Sequence, residues 1–413
     1  MNSPRTRSAV FLPLSSQADD PATVTWCRGV PLLLAEELRA LKASNATFAA
    51  WTSGRGATLQ MVHLQESPPV GHVAAYARAA EVDLGISGWG SFLGDPFMKL
   101  AVVTPDAQNP RKILVDCPPG SSCVQLVRAA FKAVCTILGL PNNAVPPLAT
   151  ATDSDEALLA WLQDLEHQWF LRRRGQEPSP ADGCRELLSA LTHDPDFEPA
   201  ARALLRRCGA ALSASVEQHG EAEVRRIQNV CSANLLQMLR LRPKDFLGWT
   251  LLGMLQREVD QATPARTSLK MAVRLAPDYA PAFRELGALE LKHGEFKAAG
   301  AYLRKAGKLA PQDPSTQYAL GTLYLKLKDR GRAIQHLQVV LRLARGTETA
   351  RVAARLLRDI DEGPTRQPTS ALDQVPPARR KQDQALIART FGLSMDRSVM
   401  DLPDFLADLA NEA

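Results

Sequence analysis

Apolar and polar positions follow two regimes along the chain. Between residues 9 and 140, short apolar runs alternate with stretches of helical spacing. "AVFLPL" (9–14) reads as a strand and "WCRGVPLLLAEELRAL" (26–41) as a helix. "TFAAW" (47–51) is a second strand and "GHVAAYARAAEV" (71–82) a second helix. Three strand-like runs follow, "DLGISGWGSFLG", "FMKLAVVTPD" and "RKILVDCPPG", with turn residues between them. "SSCVQLVRAAFKAVCTILGL" (121–140) closes the region as a helix, with Ser121 or Ser122 as its cap. The order βαβαβββα predicts an α/β domain with a mixed sheet over residues 1–150.

From residue 151 to 361 the spacing is helical throughout, and it repeats. Three windows align at a spacing of 34 residues. Trp249, Phe283 and Gln317 share one column; Leu252, Leu286 and Leu320 the next; then Gly253, Gly287 and Gly321. Ala265, Ala299 and Ala333 follow, then Leu269, Leu303 and Leu337, then Ala272, Ala306 and Val340. Pro277, Pro311 and Arg345 close the columns. The pattern predicts two antiparallel helices per repeat, touching at the Gly and Ala columns, with proline ending the second helix. Such a pair cannot bury its apolar face alone, so neighbours stack into a solenoid. Weaker copies before Pro243 and Pro195 bring the count to about five repeats, with an insertion near 211–223. "TETARVAARLLRDID" (347–361) reads as a capping helix.

These columns resemble the tetratricopeptide repeat (TPR) family. "WTLLG" at Trp249–Gly253 is similar to its W-x-x-L-G signature. Gln317 departs from the large apolar residue usual there, and Gln256 and Glu290 from a common aromatic, whereas Tyr324 conforms. The amino-terminal order resembles the TolB amino-terminal-like (FlgO-like) domain family, carried by Gly29 with "AEELRAL", by "AEVDLGISGWGSF" and by "MKLAVVTPDAQNPRKILVD". In that family the domain is often joined to TPR units. The resemblances imply an α/β domain, then an all-α TPR superhelix, then a flexible carboxy-terminal tail. Family geometry implies that the first helix of each repeat lines a groove. The groove residues are then Leu247, Thr250, Met254 and Arg257; Arg284, Ala288, Leu291 and Lys292; and Tyr318, Thr322, Leu325 and Lys326. That face is basic with apolar spots and suits an acidic, partly apolar peptide or helix. It holds none of the asparagines of a dicarboxylate clamp.

Charge sharpens this picture. Residues 242–361 hold 21 Lys and Arg against 12 Asp and Glu, more than the whole net charge of +5. After Asp361 the composition turns to Pro, Gln and charge. Residues 362–394 read as a flexible linker. Residues 395–413 are an acidic amphipathic helix with Leu402, Phe405, Leu406 and Leu409 at helical spacing. It is a docking element for a partner or for the protein's own groove.

No catalytic constellation emerges. "GISGWG" (85–90) lacks G-x-G-x-x-G and precedes a strand, so close strand packing or a bulge is expected rather than a phosphate cradle. "PPGSSC" is not a nucleophile elbow. The seven histidines show no ligand spacing, and the seven cysteines show no C-x-x-C pair and read as buried thiols. Neither metal nor cofactor is expected. Aromatics are sparse at 6%, and no base-reading motif appears, so nucleic acid is disfavoured despite the basic repeats. No apolar run reaches the ~18 residues of a membrane span, and no secretory leader is apparent, so a cytoplasmic location is expected. The reading is a non-enzymatic scaffold or adaptor. The alternative is a regulator of bacterial type, whose α/β domain binds a small ligand and signals through the repeats.

Overall fold

A computed structural model describes residues 7–40, 45–54, 59–105, 111–115, 121–140, 151–176, 179–214 and 216–361. The chain divides into two compact units, Met1–Leu204 and Leu205–Ala413.

The first unit follows the expected element order. Strand β1 (Ala9–Ser15) leads to helix α1 (Pro21–Ala40) and strand β2 (Ala46–Phe48). A small hairpin, β3 (Thr52–Ser53) and β4 (Gln60–Met61), precedes α2 (Val70–Ala79). Then come β5 (Leu84–Ser91), β6 (Phe97–Val103), β7 (Arg111–Val115) and α3 (Cys123–Leu138). The sheet order is β2-β1-β5-β6-β7. β1 pairs in parallel with β2 and β5, and the β5–β6 and β6–β7 pairs are antiparallel. Every residue of β1 is buried, as a parallel strand covered on both faces must be. Ser122 caps α3 in a capping box with Gln125, and Gly139 ends it in the left-handed region.

Helix α4 (Asp155–Arg173) packs on α1, and α5 (Cys184–His193) packs on α4. The α1–α4 approach is close. A Cβ on Gly29 would stand 2.7 Å from the Leu162 Cβ. Arg28 donates to Glu166 at 3.0 Å and Arg172 to Glu36 at 2.7 Å. Burial raises the Glu166 carboxyl above its ordinary value against the pull of Arg28. These two helices, placed with the repeats by their spacing, thus fall in the unit that holds the sheet. Helix α6 (Glu198–Ala210) carries the division between the units.

The second unit continues with a 3₁₀ turn (Ala211–Ser213), the short α7 (Val216–His219) and α8 (Glu221–Leu241). Three helix pairs follow in the predicted register: α9 (Phe246–Glu258) with α10 (Ala262–Leu275), α11 (Ala280–Lys292) with α12 (Phe296–Leu309), and α13 (Pro314–Lys326) with α14 (Arg330–Leu343). Helix α15 (Glu348–Asp361) packs on α14. Arg345 does not extend α14, which ends at Leu343, with Gly346 at a φ of +80° in the turn beyond.

The repeat columns become contacts. A Cβ on Gly253, Gly287 or Gly321 would stand 2.5, 2.6 or 2.9 Å from Cγ of Leu269, Leu303 or Leu337, so each pair closes on one glycine and one leucine. Gly300 and Gly307 serve the junction between pairs. Their Cβ positions face Leu323 and Leu320 of α13 at 3.5 and 3.1 Å.

Candidate interaction face of the helical repeats

The departures from the repeat pattern are satisfied by partners one turn or one helix away. Trp249 donates from Nε1 to the Pro243 carbonyl at 2.9 Å. Gln317, in the same column, donates from Nε2 to the Pro311 carbonyl at 2.7 Å, so the amide does the anchoring of the indole. Its Oε1 lies 2.7 Å from His336 Nδ1, and the His336 ring stacks on Tyr324 with centroids 5.3 Å apart. Burial lowers the His336 pKa below its ordinary value. In the aromatic column, Gln256 accepts from Ser268 at 2.8 Å, and Glu290 takes a bidentate pair from Arg266 at 2.7 and 2.8 Å.

The groove expectation changes most at its arginines. Arg257 on α9 reaches Glu285 on α11 and also bonds Glu258 at 2.9 Å. Arg284 lies 3.0 Å from Glu285 and 3.0 Å from Asp313. Asp313 in turn caps α13, accepting from Ser315 and Thr316. The result is a chain of alternating charge across the first helices of three consecutive pairs. Glu285 is 0% exposed, and the two arginine side chains are 12% and 11% exposed. Despite burial, the carboxylates hold both guanidinium pKa values above their ordinary value, and Arg284 holds Asp313 below its own. Arg257 and Arg284 are therefore neutralised structural groups, not free cations of a basic groove.

The remaining expected groove residues keep a mixed character. Thr250 is buried and bonds the Phe246 carbonyl at 2.8 Å; Leu247 is buried too. Thr322 bonds the Tyr318 carbonyl at 3.0 Å. Met254, Ala288, Leu291, Tyr318 and Leu325 are half-buried. Lys292 and Lys326 are exposed, and Lys292 donates to Asp260 at 2.8 Å. The first-helix face thus presents apolar and aromatic surface with lysines at its carboxy-terminal end. Leu402, Phe405, Leu406 and Leu409 lie outside the described residues.

A further row of exposed cations sits on the second helices. Arg240, Arg274, Lys308 and Arg342 recur every 34 residues, all exposed and all in the last turn of their helix. Cations there complement the helix dipole. The six described cysteines are buried free thiols; burial pushes Cys27 up to about 12. Among the described residues no helix is long and apolar enough to cross a membrane. No cluster of three metal-ligating side chains is found among them either.

Neither a family model nor a curated protein matches the chain. Solved structures do. It is similar to MamA 41-end from Desulfovibrio magneticus RS-1, at 23% identity and TM-score 0.35, over 48% of this chain and 99% of that one. It is similar to TTC0263, described as a thermophilic TPR protein in Thermus thermophilus, at 22% identity and TM-score 0.34, over 48% and 98%. A third is YrrB, described as a TPR protein with an unusual peptide-binding site, at 16% identity and TM-score 0.30, over 46% and 97%. The chain's own helix register defines its class: a mixed-sheet α/β unit followed in sequence by an α-solenoid of antiparallel helix pairs.

Proposed function

We propose that the protein is a non-enzymatic cytoplasmic scaffold or adaptor whose repeats belong to the TPR type. Its first-helix face holds a partner segment that is largely apolar and carries acidic residues at one end. The observation behind this reading is the recurrence of half-buried apolar groups at matched positions, Leu291 and Leu325 in one column and Met254 and Ala288 in another, ending at Lys292 and Lys326. A repeated, incompletely buried apolar stripe gives a helix or extended segment regularly spaced anchors. The neutralised Arg257 and Arg284 leave the acid preference to the two lysines. We also assign the amino-terminal unit to the TolB amino-terminal-like type, on its strand order.

Photo-crosslinking tests the reading. A benzophenone amino acid at Tyr318 should trap a partner in cells, whereas the same probe at Gln335, on a second helix, should not. Equal trapping from both positions, or from Gln335 alone, sinks it. Recovery of the trapped segment by mass spectrometry reads its sequence, which should be apolar with acidic residues.

A further inference from the structure

The α/β unit contains a cavity of about 750 Å³ at the carboxy-terminal ends of β1 and β5. β1 pairs in parallel with β2 on one side and β5 on the other, so the strand order reverses there. Open α/β sheets bind ligands in the crevice at such a reversal. The volume is within the range of small-molecule sites. The walls are held by bonds that need no ligand. Ser15 donates to the Gly88 carbonyl at 3.1 Å. Ser16 N donates to the Leu64 carbonyl at 2.9 Å, which fixes the run before α2 beside the end of β1. His63 Nε2 lies 3.1 Å from the carbonyls of Ser16 and Ala18 and pins the loop after β1. Walls formed in advance spare a ligand the cost of ordering them.

The lining is almost free of charge. Lys99 packs against the rings of Trp89 and Phe97, its Nζ 5.7 and 5.9 Å from their centroids, and does not reach the lining. Among the described lining residues Glu66 alone carries a charge, and it is exposed. An anion would enter without a cation to replace its water. A cation would face the positive amino-terminal end of α2, whose first residue, Val70, is in the wall. What remains is a neutral ligand, and hydroxyl groups suit it. Ser16, Gln17, Gln65, Ser67, Ser87 and Ser91 line the cavity, and each of these side chains both donates and accepts. Ser16 accepts from Ala18 N at 3.2 Å and Ser91 donates to the Leu93 carbonyl at 3.2 Å, so Ser16 keeps its proton and Ser91 its lone pairs. Ser87 adds a buried, unused hydroxyl. A Cβ on Gly85 would touch Val73 Cγ1 at 2.7 Å, so odd-numbered β5 positions face α2 and the cavity. Ser87 is 3% exposed, and its hydroxyl bonds no described residue. Its strand partner is Ala101; beside them Val73 and Val103 make an apolar floor, which Trp89 and Phe97 extend.

We infer that this cavity binds an uncharged ring bearing several hydroxyl groups, a free sugar or the sugar of a nucleoside. The apolar face of the ring lies on Val73, Val103 and Trp89. Its hydroxyls meet Ser87 and the serines and glutamines of the rim. The glycines of "GISGWG" take no part as a phosphate loop. A Cβ on Gly88 would clash with the Lys99 carbonyl, so that residue serves close strand approach. The site shares no residue with the repeat face, so the two can fail separately.

Calorimetric titration of the full chain with glucose, galactose, adenosine and uridine, and with the monophosphate of each, tests the site. At least one neutral compound should saturate with Kd below about 1 mM, and its monophosphate should bind at least about tenfold more weakly. Saturation by nucleosides alone supports the site with a nucleoside as ligand; saturation by sugars alone supports it with a free sugar. Ser87→Ala removes one buried hydroxyl at nearly constant shape and should weaken the neutral ligand about five- to tenfold. Ala101→Phe fills the floor and should abolish saturation. Should Ala101→Phe fail to fold, Ser87→Ala alone decides. The proposal is overturned if no neutral compound saturates, if a monophosphate binds as tightly as its parent, or if Ser87→Ala leaves binding unchanged.

Discussion

The first and second helices of the repeats carry similar cations to opposite ends. Arg257 and Arg284 on first helices are buried against Glu285 and Asp313. Arg274, Lys308 and Arg342 on second helices stand exposed in last turns. The difference teaches that net charge over a segment locates neither a binding surface nor a stabilising network. What decides is whether a carboxylate lies within reach in the same low-dielectric layer. A buried guanidinium needs such a partner, because desolvation otherwise outweighs any contact it makes.

The sharpest way to break this contrast is to remove the shared acid. Glu285→Ala leaves two buried arginines facing each other and should destabilise the chain by about 3–5 kcal/mol. Lys308→Gln, on the second-helix column, should change stability by less than about 0.5 kcal/mol. Urea unfolding monitored by circular dichroism measures both. Similar midpoints for the two variants would show that the buried chain contributes no more than a surface cation.

Glu285 also marks the limit of what was legible. The repeat itself was readable because glycine, alanine and leucine columns hold the same contact three times, and the structure realises each. The departures at Gln317, Gln256 and Glu290 were visible as departures, but their partners were not. Pro311, Ser268 and Arg266 are brought to them only by folding. The arginines were placed on the correct helices, yet helix geometry gives a direction and not a neighbour. One signal was available. Glu285 occupies a column otherwise filled by Leu251 and Ala319, and an acid in an apolar column demands a buried cation. The cavity of the α/β unit had no such signal. Its walls come from four separated segments, the end of β1, the run into α2, β5 and β6, that only sheet formation brings together.

Three backbone positions test the same repeat at lower energies. Gly287→Ala places a Cβ 2.6 Å from Leu303 Cγ inside a tight pair and should destabilise by about 1–3 kcal/mol. Gly300→Ala meets chiefly the flexible end of Arg304, at 2.9 Å, and gains helix propensity, so it should cost less than Gly287→Ala in the same melt. The turn within each pair needs a left-handed residue: Asp260, Gly294 and Lys328 have φ of 61°, 80° and 62°. Lys328→Gly relieves the side-chain penalty and should raise stability by up to about 1 kcal/mol, seen as a higher urea midpoint. A fall in midpoint would show that the turn is held by something other than its backbone.

The smallest effect separates the two polar layers by pH. His336, stacked on Tyr324, has its pKa lowered in the folded chain by burial. The folded state therefore binds its proton less readily than the unfolded state does. That contribution is fully present above the ordinary histidine value of 6.5 and is lost as pH falls through the lower folded value. Asp313, which burial pushes up but Arg284 and its hydrogen bonds hold low on balance, behaves alike in a lower window. Its contribution persists until pH drops below the ordinary 3.8 and through the folded value. Unfolding free energy measured across acid pH should thus decline in two steps. His336→Gln should flatten the upper step and leave the lower one, while Asp313→Asn should remove the lower step and leave the upper. A single step abolished by Asp313→Asn alone would mean that the His336 layer titrates as it does in the unfolded chain.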